Sequence, residues 1–404
     1  MARKQKIRPK LWICSEFFEP YGDKSTGYYM TEIANAAARS HEIAVITAAQ
    51  KNSGEENDEY EIIRVNNLFK IEHNLFLKAV NHLVLGLKYL FHLSLKVRSV
   101  DALFIVTNPS TLLVIASIVT LLKRCNLTVL VYDVFPENYA LIKGLRKSSF
   151  LYRALVRVFN YGYYSAGTLI SIGDDMTSLL RTKLPKYNGD IIKITNWADT
   201  DEVIPRKKSN NKIIVDHDLQ NKTVFTFAGN IGRLQNIPFL IDTFGQVSSK
   251  EAHLLFIGGG ALTGYLTDEA SENGANVSYA GSYPREDQND FLNACDIAIV
   301  SLAKDMYGLG VPSKAYNIIA AGKPILFIGE EGTEIYEMVK ENQIGWMTPP
   351  GDKDKLIKTI DYILNNPGEV REKGLAARKL AESTYSKNLI LNEYIRHFEN
   401  ILSN

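Results

Sequence analysis

The chain has 404 residues, which is more than one compact core usually holds and therefore predicts two domains. Hydrophobic residues make up 46% and charged residues 23% of the chain, which excludes a largely disordered protein. The net charge of +1 conceals an asymmetry, because residues 1–200 carry 25 Lys and Arg against 18 Asp and Glu, and the rest of the chain is acidic. A basic half predicts an anionic partner. Since no nucleic-acid-binding motif is present, we expect a membrane surface and no nucleic acid.

The three cysteines, Cys14, Cys125 and Cys295, lie far apart and form no C-x-x-C pair. This spacing excludes a disulfide framework and a cysteine-rich zinc site, and it suits a reducing compartment. The most apolar stretches are Leu75–Val97, which lysines and histidines interrupt, and Thr111–Leu122, which is too short to span a bilayer. We therefore expect no transmembrane helix and a cytoplasmic protein that is soluble or lies on a membrane surface.

In chain order, short apolar runs alternate with longer amphipathic helical patterns. The predicted strands of the first half are Leu11–Cys14, Ile43–Thr47, Ala102–Val106, Thr128–Tyr132, Thr168–Ile172 and Ile191–Ile194. Those of the second half are Thr223–Phe227, His253–Ile257, Val277–Tyr279, Ile297–Val300, Pro324–Ile328 and Gly345–Met347. Apolar strands separated by helices predict parallel sheets that are buried on both faces. We expect two doubly wound α/β domains, residues 1–200 and 201–385, followed by a C-terminal helix within 386–404.

The strongest local motif is the glycine-rich segment Gly308–Pro324, at the end of a predicted strand. Ser313 can cap a short helix there, and Gly322 can end it. Lys314 in the first turn would oppose the helix dipole unless an anion is bound, and a diphosphate would supply that anion. The alternative is an ordinary capped helix with a solvated lysine.

A second strand–loop–helix motif, residues 227–237, contains Gly229, Gly232 and Arg233. The glycines allow the backbone to approach a ligand, and the guanidinium can bind a phosphate with two hydrogen bonds. The spacing is not the G-x-G-x-x-G fingerprint of dinucleotide-binding domains. Gly258 opens a further glycine run after the next strand, and three such loops at one sheet edge predict a ligand site.

Two features of the first half have open interpretations. Asp133 and Glu137 follow a buried strand, where a carboxylate can act as a general base or orient an acceptor hydroxyl, or can form an ordinary turn and helix cap. The segments Leu75–Val97 and Lys143–Tyr164 mix basic and large apolar side chains, which suits either a membrane interface or a protein core.

The chain as a whole resembles the retaining, nucleotide-sugar-dependent glycosyltransferases of family 4, also called group 1. It is most similar to the branch that builds bacterial O-antigen, capsule and exopolysaccharide. The matching pieces occur in family order and are Phe18–Gly22 with Gly27, His41–Thr47, Asn108 and Pro109, Asp133–Glu137, Asn196–Asp199, Gly229–Gly232, Gly310–Lys314, Ala320–Pro324 and Pro350–Asp352.

The resemblance implies a GT-B fold, in which two Rossmann-like domains face a central cleft and the C-terminal helix crosses back to the first domain. It implies catalytic roles for Asp133, Glu137, Arg233 and Lys314. The expected donor-binding residues are Gly22, Gly229, Asn230, Gly232, Arg233, Gly258, Tyr283, Gly310, Val311, Pro312, Ser313, Lys314 and Asn317.

The chain departs from the family pattern at two sites. The two glutamates of the family's Glu-x7-Glu motif fall on Leu309 and Asn317, and an asparagine amide can still bond a ribose hydroxyl. The family's phosphate-binding Arg and Lys fall on Asn230 and Gln235. We infer that Arg233 and Lys314 supply the positive charge instead.

The implied activity is transfer of a hexosyl or N-acetylhexosaminyl group from a UDP-sugar to a polyprenyl-diphosphate-linked saccharide, with retention and without a metal cofactor. The expected partners are the donor, the lipid-linked acceptor and an anionic membrane surface. The expected location is peripheral, on the inner face of the cytoplasmic membrane. Two alternatives remain at this point, a GT-B sugar-nucleotide 2-epimerase and a non-catalytic scaffold of polysaccharide assembly.

Overall fold

The computed structural model describes residues 8–18, 25–49, 59–66, 75–272 and 276–403. The chain divides into two compact units. Unit 1 contains Met1–Ile194 and Leu391–Asn404, and unit 2 contains Thr195–Ile390. The division lies a few residues before the boundary expected near residue 200. The reason is that the Ala198 N–H donates a 2.6 Å hydrogen bond to the carbonyl oxygen of Tyr385, which ties this segment to unit 2.

Unit 1 is a doubly wound α/β unit around a seven-stranded parallel sheet. Its elements are β1 (Leu11–Ser15), α1 (Ser25–Ala38), β2 (Ile43–Ala48), β3 (Glu61–Val65), α2 (Leu75–Lys96), β4 (Ala102–Val106), α3 (Thr111–Lys123), β5 (Asn126–Val131), α4 (Glu137–Lys143), α5 (Phe150–Tyr164), β6 (Thr168–Ser171), α6 (Asp174–Lys183) and β7 (Asp190–Lys193). The strand order is β3-β2-β1-β4-β5-β6-β7, with every pair parallel. This order places the change of winding direction between β1 and β4, where the loops after these strands diverge.

Unit 2 repeats the plan with six parallel strands. Its elements are α7 (Lys212–Asp216), β8 (Thr223–Ala228), α8 (Ile237–Gly245), β9 (Ala252–Ile257), α9 (Thr263–Glu272), β10 (Val277–Tyr279), α10 (Gln288–Asn293), β11 (Ile297–Ser301), α11 (Lys314–Ala320), β12 (Ile325–Ile328), α12 (Glu334–Glu341), β13 (Gly345–Thr348), α13 (Lys353–Asn365) and α14 (Pro367–Ser383). The last helix, α15 (Lys387–Ser403), begins in unit 2 and belongs to unit 1 from Leu391 onward. The strand order is β10-β9-β8-β11-β12-β13. Strands such as β9 are buried along their whole length, because helices cover both faces of the sheet.

All twelve strands that the sequence predicts are present, and within the described residues β3 is one further strand, which the prediction missed. It lies at the edge of the sheet and carries Glu61 and Arg64, so it lacks the apolar run of a central strand. A half-exposed edge strand gives a weak sequence signal because only part of its surface is buried.

The C-terminal part of α15 packs within unit 1. The rings of Tyr394 and Phe398 contact the ring of Phe104 in β4, with centroids 6.0 and 5.1 Å away. The imidazole Nε2 of His397 lies 2.9 Å from the Thr128 hydroxyl of β5. Burial lowers the pKa of His397 to about 4, so the imidazole is neutral at physiological pH.

Candidate functional site

The loops at the carboxyl ends of β8, β9 and β10 are hydrogen-bonded to one another. The Gly229 N–H donates to the carbonyl of Ile257 at 2.8 Å, and the Gly258 N–H donates to the carbonyl of Gly281 at 2.8 Å. The Ile231 N–H donates to the carbonyl of Gly259 at 2.9 Å. Two of the three glycine loops that the sequence singled out, those after β8 and β9, are therefore part of one connected backbone surface at the carboxyl edge of the unit 2 sheet.

Backbone atoms of the neighbouring loop leave no room for a side chain at Gly258 or at Gly260. Gly258 has a φ of +128°, and a Cβ atom there would lie 2.0 Å from the carbonyl oxygen of Gly229. A Cβ on Gly260 would lie 2.5 Å from the carbonyl oxygen of Ile231. A side chain at either position would push the loops apart, so glycine is what allows them to pack this closely.

Lys314, the first residue of α11, has the most unusual environment of the predicted site residues. Its ammonium lies 3.3 Å from the centroid of the Phe227 ring, and its Cδ is 3.5 Å from the position of a Cβ on Gly229. The side chain as a whole is partly exposed, but Nζ itself is inaccessible to solvent and has no hydrogen-bond partner among the described residues. Burial lowers the pKa of Lys314 to about 7.

Three further buried side-chain oxygens near these strand ends lack a hydrogen-bond partner within the described parts of the chain. They are Gln235 Oε1 in the loop after β8, Ser301 Oγ at the end of β11 and Thr348 Oγ1 at the end of β13. Buried polar atoms are nearly always paired, by protein, water or ligand. All three lie toward the carboxyl edge of the sheet that carries Lys314, which is the side where open α/β sheets bind ligands.

Arg233 and Asn230 are exposed in the loop that follows β8. The Arg233 guanidinium makes no hydrogen bond or ion pair with the part of the chain that the structure describes, so it is available to a ligand. Gly232 is closely packed, since a Cβ on it would lie 2.6 Å from Gln235 Oε1.

The segment before α11 departs from the prediction at Ser313. This residue has helical φ and ψ values, and its side chain makes no capping hydrogen bond to the described backbone. The predicted cap is therefore wrong, because a capping serine needs an extended backbone that turns its oxygen toward the helix. Gly310, Val311 and Pro312 are partly exposed before it. Gly322, with a φ of +64°, follows the helix end as expected.

Asn317 makes a hydrogen bond within unit 2, and Tyr283 packs against apolar residues of the same unit. The Asn317 Oδ1 accepts a 3.2 Å hydrogen bond from the backbone N–H of Asp199, which leaves the amide nitrogen as the donor for a ligand. Tyr283 packs against the apolar cluster that includes Leu219 and Ile257, and burial raises its pKa. Asp199 is a site-adjacent residue that the candidate set omitted, although it lies in the segment that carries the resemblance.

The predicted donor-site residue Gly22 and the departure from the family pattern at Leu309 have different outcomes. Gly22 is outside the described residues. Leu309, which stands where the family has a glutamate, is buried, and its N–H donates to the carbonyl of Met306 at 3.1 Å. The Met306 N–H in turn donates to the Glu330 carboxylate at 3.1 Å. Glu330 lies in the loop after β12. The carboxylate near Met306 is therefore supplied by that loop, and not by position 309 in the loop after β11.

Asp133 in unit 1 lies two residues after the end of β5. Its backbone N–H donates to the Thr107 hydroxyl at 3.2 Å, and its carboxylate accepts a 2.6 Å hydrogen bond from the Asn138 amide. Burial raises the pKa of Asp133 to about 6, although the hydrogen bond from Asn138 acts in the opposite direction. A carboxylate with this pKa is basic enough to accept a proton near neutral pH.

Glu137 has a different environment from Asp133. Its two carboxylate oxygens accept hydrogen bonds of 2.6 and 2.8 Å from the Lys183 ammonium of α6. The Lys183 side chain is 5% exposed and that of Glu137 18%, so this is a largely buried pair. Breaking such a pair leaves an uncompensated charge, so the geometry gives Glu137 a role in joining α4 to α6.

Comparison with known proteins assigns the family. The sequence profile described as "Glycosyl transferases group 1" matches residues 222–366. A relative from Pseudomonas aeruginosa, "Probable glycosyltransferase WbjE", is 36% identical over 318 residues, which are 78% of this chain and 79% of the relative. The chain belongs to the group 1 glycosyltransferases.

Two further similarities extend this assignment. The "Amylovoran biosynthesis glycosyltransferase AmsK" of Erwinia amylovora is 24% identical over 127 residues, 31% of each protein. The crystal structure of Anabaena HepE in complex with UDP has a TM-score of 0.69 at 16% identity and covers 98% of this chain and 99% of its own. The second similarity confirms the predicted fold of two Rossmann-like domains. Family membership also favours a glycosyltransferase over the epimerase and the scaffold.

The pH dependence of stability tests the environment of Lys314. Its pKa is about 7 in the folded protein against an ordinary 10.5, so the unfolded chain binds more protons between these values and the free energy of unfolding rises with pH there. We expect Lys314→Met to be more stable than the wild type at pH 7, on the order of 2 kcal/mol, with the difference shrinking toward pH 10. Urea unfolding at pH 7 and 9.5 measures this.

The exposed Lys355 provides the control, because Lys355→Met should leave the pH dependence of unfolding unchanged. A Lys314→Met variant with the same pH dependence as the wild type would show that the ammonium is solvated.

Proposed function

We propose that this group 1 glycosyltransferase moves a sugar from a UDP-sugar to a polyprenyl-diphosphate-linked saccharide, with retention at the anomeric carbon, in the synthesis of a bacterial surface polysaccharide. The observation that carries the proposal is the buried Lys314 ammonium, whose Nζ has no hydrogen-bond partner in the described chain. A diphosphate is the dianionic group that would satisfy it. The UDP bound to HepE, which has the same fold, and the role of AmsK in amylovoran biosynthesis support the donor and the pathway class.

In this proposal, unit 2 binds the donor diphosphate at the connected glycine loops. Lys314 and Arg233 supply positive charge, and backbone N–H groups near Gly232 and Ser313 supply further donors. An anion beside the Lys314 ammonium raises its pKa, so the lysine becomes fully protonated when the diphosphate binds. The amide of Asn317 remains able to donate to a ribose hydroxyl.

The chemical step breaks the bond between the anomeric carbon and the diphosphate oxygen, and the acceptor oxygen bonds to the same face of that carbon. Negative charge grows on the leaving diphosphate, where Lys314 and Arg233 stabilise it. The acceptor proton passes to the departing phosphate oxygen or to Asp133. Because side chains supply the charge, we propose that no resident metal takes part.

In this proposal, unit 1 binds the acceptor saccharide. Its sequence carries the basic excess of the chain, which suits an acceptor with a diphosphate of its own. Asp133 would orient or deprotonate the acceptor hydroxyl, and Asn138 holds its carboxylate in place at 2.6 Å. A polyprenyl acceptor resides in a bilayer, so we place the reaction at the inner face of the cytoplasmic membrane.

Lys314→Ala tests the donor side of the proposal. Removal of the ammonium leaves the diphosphate charge less stabilised in the transition state, and we expect kcat to fall on the order of 10²-fold, as for a lost oxyanion donor. Release of UDP in the presence of lipid-linked acceptor measures the rate. A folded variant with nearly wild-type kcat would contradict the role of Lys314.

Asp133→Asn tests the acceptor side. The variant should transfer sugar slowly while it binds UDP-sugar as the wild type does, because Asp133 acts on the acceptor. The wild-type rate should also fall as the pH drops below about 6, where the carboxylate is protonated. Thermal-unfolding shifts with a panel of UDP-sugars measure donor binding. A parallel loss of donor affinity and activity would assign Asp133 to structure or to the donor site.

A further inference from the structure

Helices α2, α3 and α5 form one layer on unit 1, with α3 in the middle. A Cβ on Gly86 of α2 would lie 3.5 Å from Ile115 Cγ1 of α3. A Cβ on Gly162 of α5 would lie 2.7 Å from Leu113 Cγ, so α5 and α3 pack more closely than a larger residue would allow. Glycine at both contacts brings the three helices together as a continuous surface.

The outer side of this layer is rich in large apolar side chains. On α2 they recur at every fourth residue and are 55–68% exposed, whereas Leu85, Tyr89 and Leu93 of the same helix are buried. We call the exposed set on these helices the α2–α3–α5 face. Its members are Leu83, Leu87, Phe91, Leu95, Leu121, Leu122, Phe150, Leu151, Val158 and Tyr161. Such a concentration exceeds the scattered apolar exposure of an ordinary surface and marks a place of contact.

The same face has charge of one sign. The sequences of α2, α3 and α5 contain no Asp or Glu, and none occurs between Glu137 and Asp174. That interval contains five cations, of which Arg146, Lys147, Arg153 and Arg157 are exposed and have no ion pair with any described residue. Lys96 at the far end of α2 pairs with Glu61. The free positive charge therefore lies beside Phe150 and Leu151.

We propose that the α2–α3–α5 face docks on an anionic lipid bilayer, with its apolar side chains in the headgroup region and its cations on lipid phosphates. Basic and large apolar residues on one helical surface are typical of interfacial binding. Within the described residues, no helix is long and apolar enough to cross a membrane. A second copy of the chain fits less well, because a two-fold contact would set the cations of the face against each other.

This inference deepens the proposed function, since it names the surface through which the enzyme reaches a lipid-linked acceptor. Its test measures binding to vesicles and requires no transfer. Purified full-length protein is sedimented with vesicles of phosphatidylglycerol and phosphatidylcholine, and separately with phosphatidylcholine alone, at low and high salt. We expect sedimentation with the anionic vesicles at low salt, a loss of it in high salt, and little with the neutral vesicles.

Two variants separate charge from apolar insertion. Arg146→Glu with Lys147→Glu and Arg153→Glu should lower the partition coefficient at least about 100-fold, because each cation near the surface contributes about 1 kcal/mol. Leu87→Gln with Phe91→Gln should lower it at low salt although every cation is kept, because apolar insertion is lost. The matched controls in unit 2 are the exposed Lys355→Glu with Lys358→Glu and Lys379→Glu, and the exposed Leu375→Gln. They should bind vesicles as the wild type does.

Thermal protection by UDP, measured on every variant, keeps this test separate from that of the proposed function. Variants that lose vesicle binding and keep UDP protection support the docking surface. Wild-type protein that ignores anionic vesicles at low salt overturns it. So do control variants that lose binding equally, or a dimer in sedimentation velocity that Leu87→Gln with Phe91→Gln dissociates in the absence of lipid.

Discussion

The ammonium of Lys314 is held against the ring of Phe227 at the carboxyl edge of a parallel sheet, and its Nζ has no hydrogen-bond partner in the described chain. Burial of an ammonium without a counter-charge destabilises the folded state, and the contact with an aromatic ring offsets only part of that cost. The pKa of about 7 is the direct consequence. Perturbed groups of this kind concentrate at functional sites because a ligand supplies the missing interaction.

The glycines of unit 2 determine how the loops at this edge pack. Gly258 and Gly260 allow the loops after β8 and β9 to pack on each other, and a Cβ on Gly229 in the first of these loops would lie 3.5 Å from Lys314 Cδ. Arg233 projects from the first of these loops with no ion pair in the described chain. In the proposed account, an anion at this edge meets the exposed Arg233 guanidinium and a Lys314 amine that takes up a proton as the anion binds.

The sequence predicted much of this arrangement because strand ends and glycine loops are local features. The twelve apolar strands and the glycine loops at their ends followed from short patterns, and the role of Lys314 in binding an anion, which also rests on a short pattern, stays a prediction. The roles of Glu137 and Asn317 did not, since the Glu137 partner Lys183 and the Asn317 partner Asp199 are distant in sequence. Ser313 failed as a cap because the backbone before α11 is already helical, which a residue type cannot reveal.

The most direct test of the account is the proton balance of UDP binding. Isothermal titration calorimetry at pH 8, in two buffers with different ionisation enthalpies, measures the protons taken up per UDP bound. If the diphosphate meets a Lys314 whose pKa is about 7, the wild type should take up close to one proton, and Lys314→Met should take up almost none. Wild-type and Lys314→Met proteins that bind UDP with the same proton uptake would contradict the account, because the diphosphate would then lie away from Lys314.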